Sequence, residues 1–426
     1  MKRFMRINSV GLLLGLLSSY VAGQQFGGQL SISSGESDNA RKLENNKLEE
    51  RQDTYEFGLN GKYSNQFLSA TAEYTGQDQR FAEDSQEERK YVDGSSSIIL
   101  GGAADLFDIE LKHSRRTLLT APDDLNITNN QDDREIVSAI PRIKKRITDA
   151  DFLALSADFS RVDYKKNELN NSDRVSADFS WLRSVSKTSS VNLMLQQTDI
   201  EYKHFKDADY RYSSAALSYS TQLRKFSYSL TAGYNQSERD LGDEYSSPTY
   251  SFSAQYLASY HSFQLSANRA ITDSSIGGGN ITSVNLDPTD DGAYNVDQIE
   301  RTSAELSWGT QVICVKCTFG ISAYINQDEY LVLPDERQQQ GASVSFGYSF
   351  SDRTSFSYRI SKMEQDFDGM LSGKDYTYKT QVAELSFDIS SGLGLKVFFE
   401  NEDRESDQNE RTYVENFVGA AIFYSF

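Results

Sequence analysis

Apolar and polar residues alternate with period two in segment after segment, polar connections of alternating length separate those segments, and the last segment is an aromatic strand. These three features predict an all-β chain. The fold class is a transmembrane antiparallel up-and-down β-barrel of the bacterial outer-membrane type. It should have about twenty strands, with eighteen as the lower alternative.

The alternation is direct. Tyr55, Phe57, Leu59, Gly61 and Tyr63 alternate with Glu56, Gly58, Asn60 and Lys62. Leu68 to Tyr74, Phe226 to Tyr234, Tyr250 to Tyr260, Ala304 to Trp308, Val344 to Phe350 and Phe356 to Ile360 repeat the pattern. One face is aliphatic and aromatic; the other is mostly Ser, Thr, Gly, Asn and scattered charge. In hydrocarbon a sheet satisfies its backbone only by closing on itself, which sets the apolar face to lipid and the polar face to a lumen. Tyr55, Tyr63, Tyr219, Tyr348 and Tyr424 are expected at headgroup level.

The connections fall into two sets. Asn65-Gln66, Leu223–Lys225, Ser351–Arg353 and Ser390–Leu393 are short; Gly35–Gln52, Ala82–Lys90, Leu119–Asp133, Glu238–Ser247 and Thr272–Asp297 are long and polar. Short periplasmic turns and long outer loops are the outer-membrane pattern. A propeller has a repeat of about 40–45 residues, but its blades carry Trp-Asp signatures and fully buried strands; this chain has 2 Trp and half-polar strands.

Both ends carry addressing features. Lys2, Arg3 and Arg6, the apolar run Val10–Leu17 and the small residues Val21-Ala22-Gly23 read as a signal peptide over 1–23, leaving 24–426 as the barrel. The run is too short for a spanning helix. In the last strand Val418, Ala420, Ile422, Tyr424 and Phe426 share a face, and Tyr424 and Phe426 resemble the signal read by the barrel-assembly machinery.

Composition agrees. Only 38% of the 426 residues are hydrophobic, yet 12% are aromatic, with 25 Tyr and 24 Phe, and the mean hydropathy is -0.57. Disordered chains are poor in aromatics. The formal charge of -19 becomes -22 when the three leader cations are removed. An acidic chain repels nucleic-acid phosphates, so no nucleic-acid partner is expected.

Site chemistry is sparse. Cys314 and Cys317, the 2 cysteines, predict a disulfide across a turn in an oxidising compartment, with no further ligands nearby for zinc. None of the 3 His (His113, His204, His261) lies beside a convincing Ser or Asp partner, and no Gly-x-Ser-x-Gly occurs, so no enzyme, cofactor or metal is expected. Asp287, Asp290 and Asp291 lack EF-hand spacing. Glu73, Asp108, Glu110, Asp158, Asp178, Glu305, Glu384 and Asp388 fall on the polar face with Arg142, Lys144, Arg146, Arg359 and Lys396. They could select solutes by charge or pair across strands. Side chains alone fill only barrels of about eight strands, so the lumen is expected to hold water. Ile276–Val296 is read either as a constriction or as a surface loop.

The stretch His113-Ser114-Arg115-Arg116-Thr117-Leu118-Leu119-Thr120-Ala121-Pro122, followed by Asp133-Arg134-Glu135-Ile136-Val137 and Ser/Tyr-rich hairpins, resembles outer-membrane barrels associated with PEP-CTERM/exosortase systems. Porin-like barrels are the fallback family. The first resemblance implies an export or surface role linked to exopolysaccharide, with export components as partners beside lipid, lipopolysaccharide and the assembly machinery. It carries over no site residues. The expected function is a passive or export-associated pore, against a structural or surface-binding barrel with a closed lumen.

Overall fold

A computed structural model describes residues 24–102, 106–240, 242–276, 296–333 and 335–426; the leader lies outside the described residues. Twenty strands follow one another: β1 (Gln24–Ser37), β2 (Glu50–Ser64), β3 (Leu68–Phe81), β4 (Arg89–Leu100), β5 (Phe107–Leu119), β6 (Gln131–Arg146), β7 (Asp151–Tyr164), β8 (Ser172–Ser184), β9 (Ser189–Tyr202) and β10 (Tyr210–Gln222). Then come β11 (Phe226–Arg239), β12 (Glu244–Leu257), β13 (His261–Asp273), β14 (Gln298–Thr310), β15 (Cys317–Tyr330), β16 (Glu336–Ser351), β17 (Thr354–Asp368), β18 (Tyr376–Asp388), β19 (Leu393–Ser406) and β20 (Tyr413–Ser425). Each pairs antiparallel with the next, in one 20-stranded sheet. β20 pairs back with β1, Gln29 opposite Ser425 through Ser37 opposite Phe417. The predicted closed up-and-down barrel is the observed fold.

The period-two pattern sorts side chains as the sequence implies. Leu30, Ile32, Phe57, Leu59, Leu217, Leu230, Leu265 and Leu306 stand exposed on the outside. This apolar surface needs lipid around it, since soluble monomers do not expose such continuous bands. At the short-turn end Tyr63, Tyr219, Tyr348 and Tyr424 lie near their strand ends, as expected of a girdle, whereas Tyr55 sits farther along β2. Phe263 and Trp308 stack at 6.1 Å in the same girdle.

The closing seam depends on two glycines. Gly35 and Gly419 are directly opposite and face inward beneath the Phe398 and Phe417 rings, whose centroids are 5.7 Å apart. A Cβ at Gly35 would lie 2.8 Å from the Val418 carbonyl oxygen and 2.6 Å from the Phe417 ring. Only glycine allows the backbones and rings to meet this closely.

Loop sides match the sequence reading with one correction. The 240–243 connection is short, because β11 runs to Arg239 and β12 starts at Glu244; Glu238–Ser247 had read as a long loop from its Asp, Glu, Ser and Pro content. Pro248 is accommodated within β12 because β13 has already parted there: the two pair only from Tyr250 to Leu257. A second parting lies between β4 and β5, paired only over Gly94–Leu100. Both partings open toward the long-loop end.

Candidate functional site: the lumen and its closure

The two halves of the lumen differ. Toward the short turns, inward residues of β3, β12, β13 and β17 such as Glu73, Gln255, Gln264, Ser355, Ser357 and Arg359 are exposed to the interior space. A recess of about 660 Å³ is lined there by Ser190, Ser220, Ser229, Ser253 and Gln264 among others. Small hydroxylic side chains leave room, and an empty polar space takes up water.

Toward the long loops, two segments reach inward from the wall. Above its parting from β12, the β13–β14 hairpin leans inward and its base packs against β7–β10. Asp273, 1% exposed, accepts hydrogen bonds from Arg174 Nη2 at 2.5 and 2.6 Å and from Tyr210 Oη at 2.6 Å. Tyr202 Oη adds one at 3.3 Å. Ser274 Oγ donates to Asn170 Oδ1 at 3.0 Å, and Tyr164 Oη donates to the Ser275 carbonyl at 3.0 Å. Beside this clasp Asp328 receives Arg301 through two contacts at 2.5 Å and Arg337 at 2.8 and 3.1 Å.

A second segment, 120–130, crosses to β18–β20. The Pro122 carbonyl accepts Tyr376 Oη at 3.1 Å. The Asp123 and Asp124 carbonyls accept the two Nη groups of Arg404 at 2.6 and 2.8 Å. Arg404 itself lies 3.9 Å above the Tyr376 ring, and Asp123 pairs with Arg411. Leu125 packs on a buried cluster of Met363, Phe367, Leu371, Tyr376, Tyr378 and Tyr413. Thr128 ties the other end to Gln86 and Glu87 at 2.9 and 2.8 Å. A third contact comes from loop 38–49, where Lys42 pairs with Glu402 and Glu415. Burial opposes the Lys42 charge, but the facing carboxylates hold its pKa well above the usual value. Thus 120–130, read from sequence as one long loop among several, is a strap within the lumen. Of the sequence candidate 276–296, residues 277–295 lie outside the described residues, as do Asp287, Asp290 and Asp291.

The polar-face charges lie toward the short turns and at mid-wall, and several of them are paired. Asp108 and Glu110 are buried with Arg142 at 2.8 and 3.0 Å, and Lys144 also reaches Asp108. Glu384 pairs with Lys396 at 3.0 Å, and Asp158 is hydrogen-bonded by Ser160. Glu73 and Arg359 face the open half. Asp178 and Glu305 project inward from β8 and β14, and Asp388 is exposed at the end of β18. Sequence reasoning missed Arg174, Asp273, Arg301, Asp328 and Arg337, which carry the closure.

One closure residue is a pH reporter. Asp297, just outside β14, accepts backbone N–H groups from Gln298, Val332 and Leu333 at 2.6, 3.2 and 3.0 Å. Burial raises its pKa to about 6 from an ordinary 3.8, and those hydrogen bonds only partly offset the rise. The folded state therefore holds a proton the unfolded state has lost between about pH 4 and 6. Its contribution is fully present near pH 4 and is lost as pH rises through 6. Asp297→Asn should remove this component, on the order of 2 kcal/mol. Denaturant titrations of both proteins at pH 4.5 and 7.5 check it; identical pH dependence would refute the assignment.

Cys314 and Cys317 form a disulfide, Cα–Cα 5.1 Å, at the β14–β15 connection on the short-turn side. Mass spectrometry of unreduced protein is expected to find the pair bridged; free thiols would contradict it. His113 does have partners that sequence distance concealed. Tyr74 Oη lies 2.6 Å from its Nδ1 and Glu135 Oε1 2.9 Å from its Nε2. Ser96, opposite His113 in register, is bonded to Tyr74 Oη at 2.9 Å. This relay lies on the outer face.

With the geometry set out, the barrel can be compared with solved structures. The FrpB iron transporter from Neisseria meningitidis, F5-1 variant in its apoprotein form, is similar with a TM-score of 0.54 at 10% identity, over 97% of this chain and 82% of that one. This is an outer-membrane β-barrel. The likeness is one of fold, and the apolar exterior of this barrel places it in the outer membrane. Looser similarities are to the siderophore receptor PirA from Pseudomonas aeruginosa (TM-score 0.44, 12% identity, 94% and 80% covered) and to OmpT, an outer membrane protein of Vibrio cholerae (TM-score 0.38, 10% identity, 96% and 100% covered). No family model and no curated protein matches the sequence.

Proposed function

We propose that this outer-membrane barrel is a non-enzymatic, passive pore for small polar solutes, closed at its long-loop end by the strap and the inward hairpin. The observation that carries the reading is the form of the closure. Apart from the apolar seat of Leu125, it is held by hydrogen bonds and ion pairs between separate elements, such as Asp273 with Arg174 and Asp123 with Arg411, above a hydroxyl-lined vestibule. Polar contacts of this kind exchange with water more readily than an apolar core, so the closure can shift without unfolding the wall.

Planar-bilayer recordings on refolded protein test it. Rare stepwise openings are expected from the full chain, and larger, frequent ones after deletion of residues 122–128. If both proteins fold and stay silent, the closed structural or surface-binding barrel replaces this reading.

A narrower form couples the pore to exopolysaccharide export, as the resemblance to PEP-CTERM-system barrels implies; polysaccharide and exosortase genes beside its own would favour it. On the same reading Tyr424 and Phe426 serve as the assembly signal, and deleting Phe426 lowers the yield of folded barrel. The Tyr74–His113–Glu135 relay supports a barrel enzyme as second reading. It is the weaker one, because Ser96 is bonded to the phenol and not to the imidazole that would have to activate it.

A further inference from the structure

Among the described residues, buried arginines in this lumen face carboxylates or carbonyl oxygens, with one exception. Arg174 faces Asp273, Arg301 and Arg337 share Asp328, and Arg404 binds two carbonyls of the strap. Arg134 is 5% exposed. Its Nη1 is buried without a hydrogen-bond partner, and it forms no ion pair among the described residues. Directly across the β5–β6 ladder it meets Arg116, also on the inward face and also without an ion pair among the described residues. Like charges directly opposite on neighbouring strands repel, and a guanidinium cannot shed its proton.

The surroundings sharpen the imbalance. Leu118 and Val162, 3% and 1% exposed, and the Tyr164 ring form an apolar cluster with Ile136 packed against it; Tyr164 is the register partner of Arg134 on β7. The neighbouring inward carboxylate, Asp132, is engaged by the backbone N–H groups of Lys166 and Asn167 at 2.7 and 2.8 Å. In a low-dielectric setting two unpaired cations attract an anion strongly. Planar guanidinium forks match the oxygen pair of a carboxylate or phosphate.

We propose that Arg116 and Arg134 form an oxyanion-binding station on the lumen wall, for a small phosphate- or carboxylate-bearing solute. It stands where β4 parts from β5, one residue beyond the last paired position, Arg115 opposite Gly94. As a binding site it stands on the arginine pair alone; as a station for transported solutes it rests on the pore reading.

Thermal unfolding in a phosphate-free detergent tests binding without requiring conduction. Inorganic phosphate and succinate are titrated at constant ionic strength against sodium chloride. The native chain is expected to melt several degrees higher with at least one oxyanion, because a ligand of the folded state alone stabilises it. Arg116→Gln, at a partly exposed position, should fold and lose the shift, with affinity down at least tenfold. Arg134→Lys should weaken it if Arg134→Gln does not fold. No oxyanion-specific shift in the native chain, or an undiminished one in Arg116→Gln, overturns the proposal. Silent bilayers with intact oxyanion stabilisation would instead reject the pore and leave the site standing.

Discussion

Replacing Asp328 by alanine should be the most destabilising single change in this barrel, costing about 3–5 kcal/mol. The carboxylate is 1% exposed and serves both Arg301 and Arg337. Removing it leaves two buried guanidinium groups facing each other without their shared counter-charge. Arginine cannot neutralise itself by losing a proton, so the cost falls on folding. Asp328→Asn should cost less, since an amide oxygen still accepts one guanidinium. Denaturant-induced unfolding of barrels refolded into lipid measures both. Equal, near-zero losses would mean that other groups, not Asp328, satisfy the two arginines.

The second large effect is on conductance. Arg174→Ala strips Asp273 of its cation and leaves it with Tyr202, Tyr210 and Ser275 hydroxyls. A buried carboxylate held by neutral donors alone favours any movement that returns it to water, and the base of the β13–β14 hairpin is what can move. Single-channel currents should rise several-fold over the native chain. Arg161→Ala is a matched control, because Arg161 pairs with Asp173 on the exposed outer surface, where such pairs contribute roughly 0–1 kcal/mol. Equal currents in all three proteins would show that the clasp does not limit passage.

How much of this was legible beforehand follows from the range of each interaction. Period-two alternation is local, so Phe57, Leu59, Leu230 and Leu306 announced the outer face and the number of strands. The lumen closure is not local. Arg174 and Asp273 are far apart in sequence and lie on strands that do not adjoin, so no pattern within either strand points to the other. Pro122, Asp123 and Asp124 have the composition of a surface turn; what makes them a strap is Tyr376, Arg404 and Arg411 waiting across the lumen. The expectation of a hydrated lumen counted inward side chains alone, and the inward strap and hairpin add to what occupies that space. The β11–β12 connection misled for the opposite reason: loop-like residues continue a strand where the neighbouring wall has parted.

The Gly35–Gly419 contact has a kinetic consequence. It joins the first strand to the last, so its ring-over-glycine fit closes the largest stretch of chain and is the costliest ladder to form early. Until it forms, both terminal strands present unpaired edges, the state in which sheets aggregate. A methyl group at Gly35 would act when that seam joins. The loss would appear as open sheets that never seal, while any barrels that did seal would carry a strained but complete wall.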